Sequence, residues 1–346
     1  MADSAIQWCD KVWNPVRGCR RVSPGCEHCY AERQAHRFSG AGQPYEGLTK
    51  LTKRGPVWTG EARFVPEMLA APLSWKKPAR IFVNSMSDLF HEDVTNEQIA
   101  AVFGVMWACP QHTFQVLTKR PERAVRWFES MRWAHGNSPL TGPSRMRVDP
   151  LTSCQILAGR LVKLGAYNLG ERPQIWPLPN VWLGVSVEDQ QRADERIPPL
   201  LRCPAAVRFV SAEPLLGPVD LSCVALPESW RVEDDIADCI DALRYDPAHI
   251  DWVIAGGESG PGARPCCLSW LRNIVHDCDE ASVPCFVKQL GAKPYEARDD
   301  APDDEGRWEP EAWLNLDDKK GGDPAEWVAF GESYLNVRQF PEVRHG

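Results

Sequence analysis

No run in the 346 residues is long and apolar enough to cross a membrane. The opening stretch MADSAIQWCD lacks both the basic start and the apolar core of a secretory leader, so a cytoplasmic protein is expected. Internal repeats are missing beyond a loose alternation of strand-like and helix-like segments, so no repeat array is expected. A second C-x2-C pair is absent too, and with it the paired ligand motifs that usually mark structural zinc. Nor is the chain basic overall. Its 39 Lys and Arg face 47 Asp and Glu, for a net charge of −8, which is not the profile of a strong duplex binder.

Cysteine, by contrast, is plentiful, at thirteen residues. Most are scattered singly (Cys109, Cys154, Cys203, Cys223, Cys239, Cys278, Cys285), and Cys266 and Cys267 are adjacent. That scatter reads as buried free thiols rather than a disulfide framework. Cys19, Cys26 and Cys29 differ, being spaced C-x6-C-x2-C in a loop with Pro24 and Gly25. A disulfide within this trio is disfavoured in a reducing compartment. Zinc would need His28, Cys9 or a distant residue as fourth ligand. A catalytic thiol needs one cysteine and a base, not a cluster of three. An iron–sulfur cluster held by three thiolates, with one iron left open for a substrate, fits the number best, and zinc remains the alternative.

Six short apolar runs read as buried parallel strands: RIFVNSMSD, TFQVLTKR, NVWLGVSVED, AVRFVSAEP, DWVIAGGESG and PCFVKQLG. Helical stretches separate most of them, and a further strand near Ile6–Trp8 brings the total to about seven. The expected architecture is therefore α/β, a full or partial parallel (β/α) barrel over residues 1–291. A Pro-, Gly- and Ser-rich insertion falls at about 134–178, and an acidic extension at 292–346 is expected to pack on the barrel. The strand ends carry polar residues in succession: Asn84, Ser85 and Asp88; Lys119 and Arg120; Ser186 and Glu188; Ser211 and Glu213; Glu258; Lys288. In a parallel barrel these ends share one face, where such folds place active sites. Charge is uneven as well. Residues 11–80 hold thirteen Lys and Arg against five Asp and Glu, while residues 295–346 hold six against fourteen. A basic lobe beside the cysteines is suited to phosphates or a nucleic acid; uneven solvated charge is the plainer reading.

The stretch GCRRVSPGCEHCYAER resembles the radical S-adenosylmethionine enzymes, in particular the branch around spore photoproduct lyase. The chain as a whole resembles an uncharacterised family of phage and prophage proteins, through WNPVRGC, VNSMSDLFHEDV, QVLTKRPER, WLGVSVEDQ, FVSAEPLLGPV, VIAGGESG, FVKQLG and DDKKGGDP. Three features depart from the radical enzymes. Their usual C-x3-C-x2-C spacing is replaced by x6, His28 stands before the last cysteine where they carry an aromatic residue, and NSMSD stands where they carry a glycine-glycine-glutamate motif.

The resemblance implies a radical-enzyme type of barrel in which Cys19, Cys26 and Cys29 ligate a [4Fe–4S] cluster. The cluster would cleave S-adenosylmethionine to a 5′-deoxyadenosyl radical that abstracts hydrogen from a substrate. Contacts to the methionine amino group would fall to Asn84, Ser85 or Asp88. Ser186 and Glu188 would meet the ribose, and Gly256 and Gly257 would allow close approach of adenine or methionine. Lys119, Glu213, Glu258 and Lys288 would line the mouth as catalytic or substrate-binding groups, with Glu–Lys pairing across the barrel as the alternative. The implied partners are an external one-electron reductant such as flavodoxin or ferredoxin and a nucleobase in phage DNA, and the cytoplasm expected for the protein would be the host's if it is phage-encoded. A peptide or small-metabolite substrate, and a non-catalytic zinc-binding phage protein, stay open as alternatives.

Overall fold

The computed structural model describes residues 4, 6–137, 176–228, 238–260, 262–298, 302, 308–318, 320–329 and 331–342. Most of the expected 134–178 insertion therefore lies outside the described residues. Seven strands form one sheet: β1 (Lys11–Trp13), β2 (Arg80–Val83), β3 (Thr113–Thr118), β4 (Val181–Ser186), β5 (Val207–Ala212), β6 (Trp252–Gly256) and β7 (Cys285–Gln289). They lie side by side in chain order, and every neighbouring pair is parallel. Helices α1 (Tyr30–His36), α2 (Asn96–Ala108), α3 (Pro121–Asn137), α4 (Gln190–Arg202) and α5 (Leu268–Glu280) lie in five of the six crossovers, all but the one from β5 to β6. Among the described residues, no helix is long and apolar enough to cross a membrane.

Residues alternate strictly between the two faces of each strand. Ile81, Val83, Phe114, Val116, Leu183, Val185, Val210, Val253 and Val287 point outward into the main core beneath the helices. Phe82, Trp182, Phe209, Trp252 and Phe286 point inward, where Trp8 joins them. Both faces are buried, so the alternation that usually marks a strand is hidden, because apolar residues occupy both sides.

The inward cluster also shows that the sheet curls. Trp8 lies 4.7 Å from the Phe82 ring on β2 and 6.5 Å from the Trp252 ring on β6. In a flat sheet those strands would stand about 19 Å apart, at roughly 4.8 Å per strand. Gly184 on β4 makes the interior close: a Cβ there would lie 2.5 Å from the Phe209 ring. The sheet is a partial barrel, because β1 and β7 are its edges and do not pair with each other. Along the open edge, the Val287 amide donates to the Val337 carbonyl and Gln339 donates to Cys285, both at 2.9 Å. Arg338 reaches Gln7 at 2.6 Å, so the acidic extension stitches β7 to the N-terminal segment. Trp327 and Leu335 of that extension are fully buried.

Two expectations need correction. The first strand is Lys11–Trp13, not Ile6–Trp8. Trp8 is instead drawn into the barrel interior, where its ring fills space the three-residue strand cannot. The cysteines are not all free: Cys223 and Cys239 form a disulfide. They are sixteen positions apart, but Cys223 immediately precedes the strand Val224–Ala225 and Cys239 opens its paired strand Cys239–Ile240, a juxtaposition made by the fold rather than by local spacing. The other described cysteines are free.

Candidate functional site

Going up each strand on the inward face, apolar residues give way to polar ones. Phe82 is followed by Asn84, Trp182 leads through Gly184 to Ser186, and Phe209 is followed by Ser211 and Glu213. Trp252 leads to Glu258 and Phe286 to Lys288. The result is a cavity of about 280 Å³ at the C-terminal mouth, floored by Ile6, Trp8, Phe82 and Leu117. Cys19, Cys26 and Cys29 line it together, as do all the other expected site residues except Glu188 and Gly256.

The cysteine loop leaves β1 and returns over the mouth. Asn14 accepts from the Ser85 hydroxyl and the Met86 amide, both at 3.2 Å, and Val16 N donates to Asn84 Oδ1 at 3.2 Å. Gly18, directly before Cys19, has φ +87°, and a Cβ there would stand 2.3 Å from the Glu61 carbonyl, so only glycine fits. Pro24–Cys26 form a single 3₁₀ turn, and Cys29 immediately precedes α1.

Groups distant in sequence clamp this loop. Glu188, fully buried, accepts from the Gly25 amide at 3.2 Å, from Lys119 Nζ at 3.1 Å and from Arg196 Nη1 at 2.8 Å. Burial alone would raise its carboxyl. Lys119 and Arg196 outweigh that and hold it at about 2. On the other side, Arg264 binds Glu258 through both oxygens, at 2.9 and 2.7 Å, and donates to the Pro24 carbonyl at 2.9 Å. His28 Nδ1 lies 2.9 Å from Glu258 Oε2. Burial opposes ionisation of Glu258, but Arg264 and His28 draw its pKa below the ordinary value. Arg120 Nη2 reaches the Arg20 carbonyl at 3.1 Å, and its Nη1 lies 3.0 Å from Asp88 and 3.9 Å from Cys19 Sγ.

These contacts redistribute the expected roles. Asp88 is saturated, accepting from Phe90 N, Thr118 Oγ1, Lys119 N and Arg120 Nη1, so it ties β2 to β3 rather than facing the cavity with a free carboxylate. Glu188, expected as a ribose contact, is buried behind the loop and outside the cavity lining. Lys119 faces it as a partner. The glycine pair serves packing within the chain. A Cβ on Gly257 would meet the Leu290 carbonyl at 2.3 Å, and one on Gly256 would lie 3.1 Å from the Gln289 carbonyl. Ser186 and Ser85 line the cavity. Among the described residues, Glu213 and Lys288, paired at 2.9 Å, are the ion pair that both lines the cavity and holds nothing of the cysteine loop.

The sequence reading missed Arg196 and Arg264. Arg196 lies two helical turns into α4, so the strand–helix reversal folds it back onto Glu188, a placement its spacing of eight could have revealed. Arg264 sits in an irregular loop and gives no such signal.

The three thiols form no disulfide with one another. Burial first, then the Asp88 charge, pushes the Cys19 thiol up to about 12 despite Arg120 beside it, and burial raises Cys29 too. Among the described residues, no three His, Cys, Asp or Glu side chains are grouped to hold a single metal ion. The donor set is nonetheless all sulfur and three in number, which matches a cluster whose thiolates bind separate irons.

Fold and site together define a partial parallel βα barrel whose mouth is roofed by a three-cysteine loop. Residues 3–316 match the family described as "Protein of unknown function (DUF5131)", and the chain belongs to that family. Searches of curated proteins and of solved structures return no match.

Proposed function

We propose that the chain is a radical S-adenosylmethionine enzyme whose Cys19, Cys26 and Cys29 hold a [4Fe–4S] cluster, and that it modifies a nucleobase, in keeping with the resemblance to phage proteins. The observation that carries this reading is the convergence of three free thiols, and among the described residues no fourth, on one cavity at the C-terminal mouth of a parallel barrel. When bound, the cluster would supply one-electron reduction of the sulfonium of S-adenosylmethionine.

The chain's own residues do the rest. Glu188, Arg264 and Arg120 fix the loop backbone at Gly25, Pro24 and Arg20, so the thiols are presented by a preorganised frame. Glu213 and Lys288 offer one negative and one positive group inside the cavity, complementary to the ammonium and carboxylate of the cosubstrate's amino-acid end. Ser85 and Ser186 add hydroxyls at the wall, and the aromatic floor excludes water from below.

Anaerobic reconstitution with iron and sulfide tests the reading. The wild type should take up about four irons per chain and absorb in the visible, and Cys26→Ala should not. Colourless protein holding zinc, with Cys26→Ala unchanged in metal content, would overturn it.

A further inference from the structure

Between the cysteine loop and β2 the chain forms a two-stranded hairpin, Thr49–Thr52 paired with Gly55–Trp58, that joins no other sheet among the described residues. Its two-residue turn is Lys53–Arg54, and Lys50 lies on the first strand. All three side chains are exposed, and none is held in an ion pair among the described residues. Leu51, beside the turn, is 71% exposed. At the other end the hairpin is rooted in the site. Trp58 lines the cavity and packs with α1, and its amide donates to the buried Glu32 at 3.0 Å. The turn thus stands about 14 Å from the cavity wall, at roughly 3.4 Å per residue.

Exposed large apolar side chains gather in the same region. Val22, Tyr30, Phe38 and Leu51 are four of the six such residues among those described, and Val22 and Tyr30 stand at the cavity mouth. Residues 20–54 hold seven Lys and Arg against three Asp and Glu, and one of those acids, Glu32, is buried in a pair with Arg21. Cationic groups interleaved with exposed rings and aliphatics, leading into a cavity, are what an unpaired polynucleotide needs: phosphates meet Lys and Arg, and bases stack on apolar faces.

We propose that this hairpin and mouth dock single-stranded nucleic acid, guiding a base toward the cavity. The inference rests on reading the cavity as the catalytic site. A duplex is disfavoured as the occupant because its stacked bases could not reach the mouth without being flipped out.

The test uses the full chain without its cluster and labelled 20-nucleotide DNA and RNA strands, read by fluorescence anisotropy across a salt series. Lys50→Glu/Lys53→Glu is compared with Lys76→Glu/Lys77→Glu, which makes the same charge change at exposed residues before β2, at the opposite end of the barrel. The hairpin variant should weaken single-strand binding by roughly tenfold and flatten the salt slope by about 1.4. The control should shift neither, and circular dichroism should be unchanged in both. Leu51→Ala should weaken binding without altering the slope. Absence of binding at low salt, preference for duplex, or equal losses in both double variants would overturn the proposal. Because these titrations involve no cluster, their failure is distinguishable from a failure of the wild type to take up iron.

Discussion

Replacing Glu188 by Gln removes one negative charge from a buried site that holds two cations. The native carboxylate lies 3.1 Å from Lys119 Nζ and 2.8 Å from Arg196 Nη1, and it titrates at about 2 instead of the ordinary 4.5. A depression of that size corresponds to about 3 kcal/mol, the lower end of the cost of stripping one partner from a buried ion pair. The amide can still accept from Gly25, so the loop keeps that contact and loses the charge. Urea unfolding at pH 7.5 should show Glu188→Gln destabilised by about 3 kcal/mol. Combining it with Arg196→Met should cost less than the sum, since the second change removes a cation already unpaired. The effect should also follow pH. A carboxyl with a lowered pKa contributes stability that is fully present above about 4.5 and lost as pH falls through about 2. The difference between wild type and variant should therefore narrow below about pH 4.5. A loss under about 1 kcal/mol, or strict additivity with Arg196→Met, would refute the clamp.

Three further outcomes are expected. Gly184→Ala forces a methyl to within 2.5 Å of the Phe209 ring and should cost about 1–3 kcal/mol in urea unfolding, with partial rescue by Phe209→Leu. Arg264→Met frees the loop at Pro24 and strips the buried Glu258 of its cation, so it should lower iron affinity about tenfold in competition with a chelator and also destabilise the fold by about 3 kcal/mol in urea unfolding. In metal-free protein the Cys19 thiol, pushed up to about 12, should be only about one part in ten thousand thiolate at pH 8. Peptide mapping after brief iodoacetamide treatment should find it scarcely labelled there, with labelling rising as pH increases.

Much of the fold was legible because the strands end as they do. Ser186, Ser211, Glu258 and Lys288 follow buried apolar runs, and a parallel barrel must bring such ends together. What local sequence could not express is which polar group faces the cavity and which faces a partner. Asp88 and Glu188 look like mouth residues by position, yet the fold places Arg120, Lys119 and Arg196 against them, and those contacts span up to 69 positions. The Cys223–Cys239 disulfide is concealed in the same way, by strands of two residues too short to leave a pattern. The cysteine trio needed no such long-range information, since all three thiols lie within one loop.

The most direct test is to mix reconstituted, dithionite-reduced protein with S-adenosylmethionine and look for 5′-deoxyadenosine by liquid chromatography. Its formation in the wild type, and its loss in Cys19→Ala, Cys26→Ala and Cys29→Ala alike, is the expected result. No 5′-deoxyadenosine from protein that carries a full complement of iron would contradict the account.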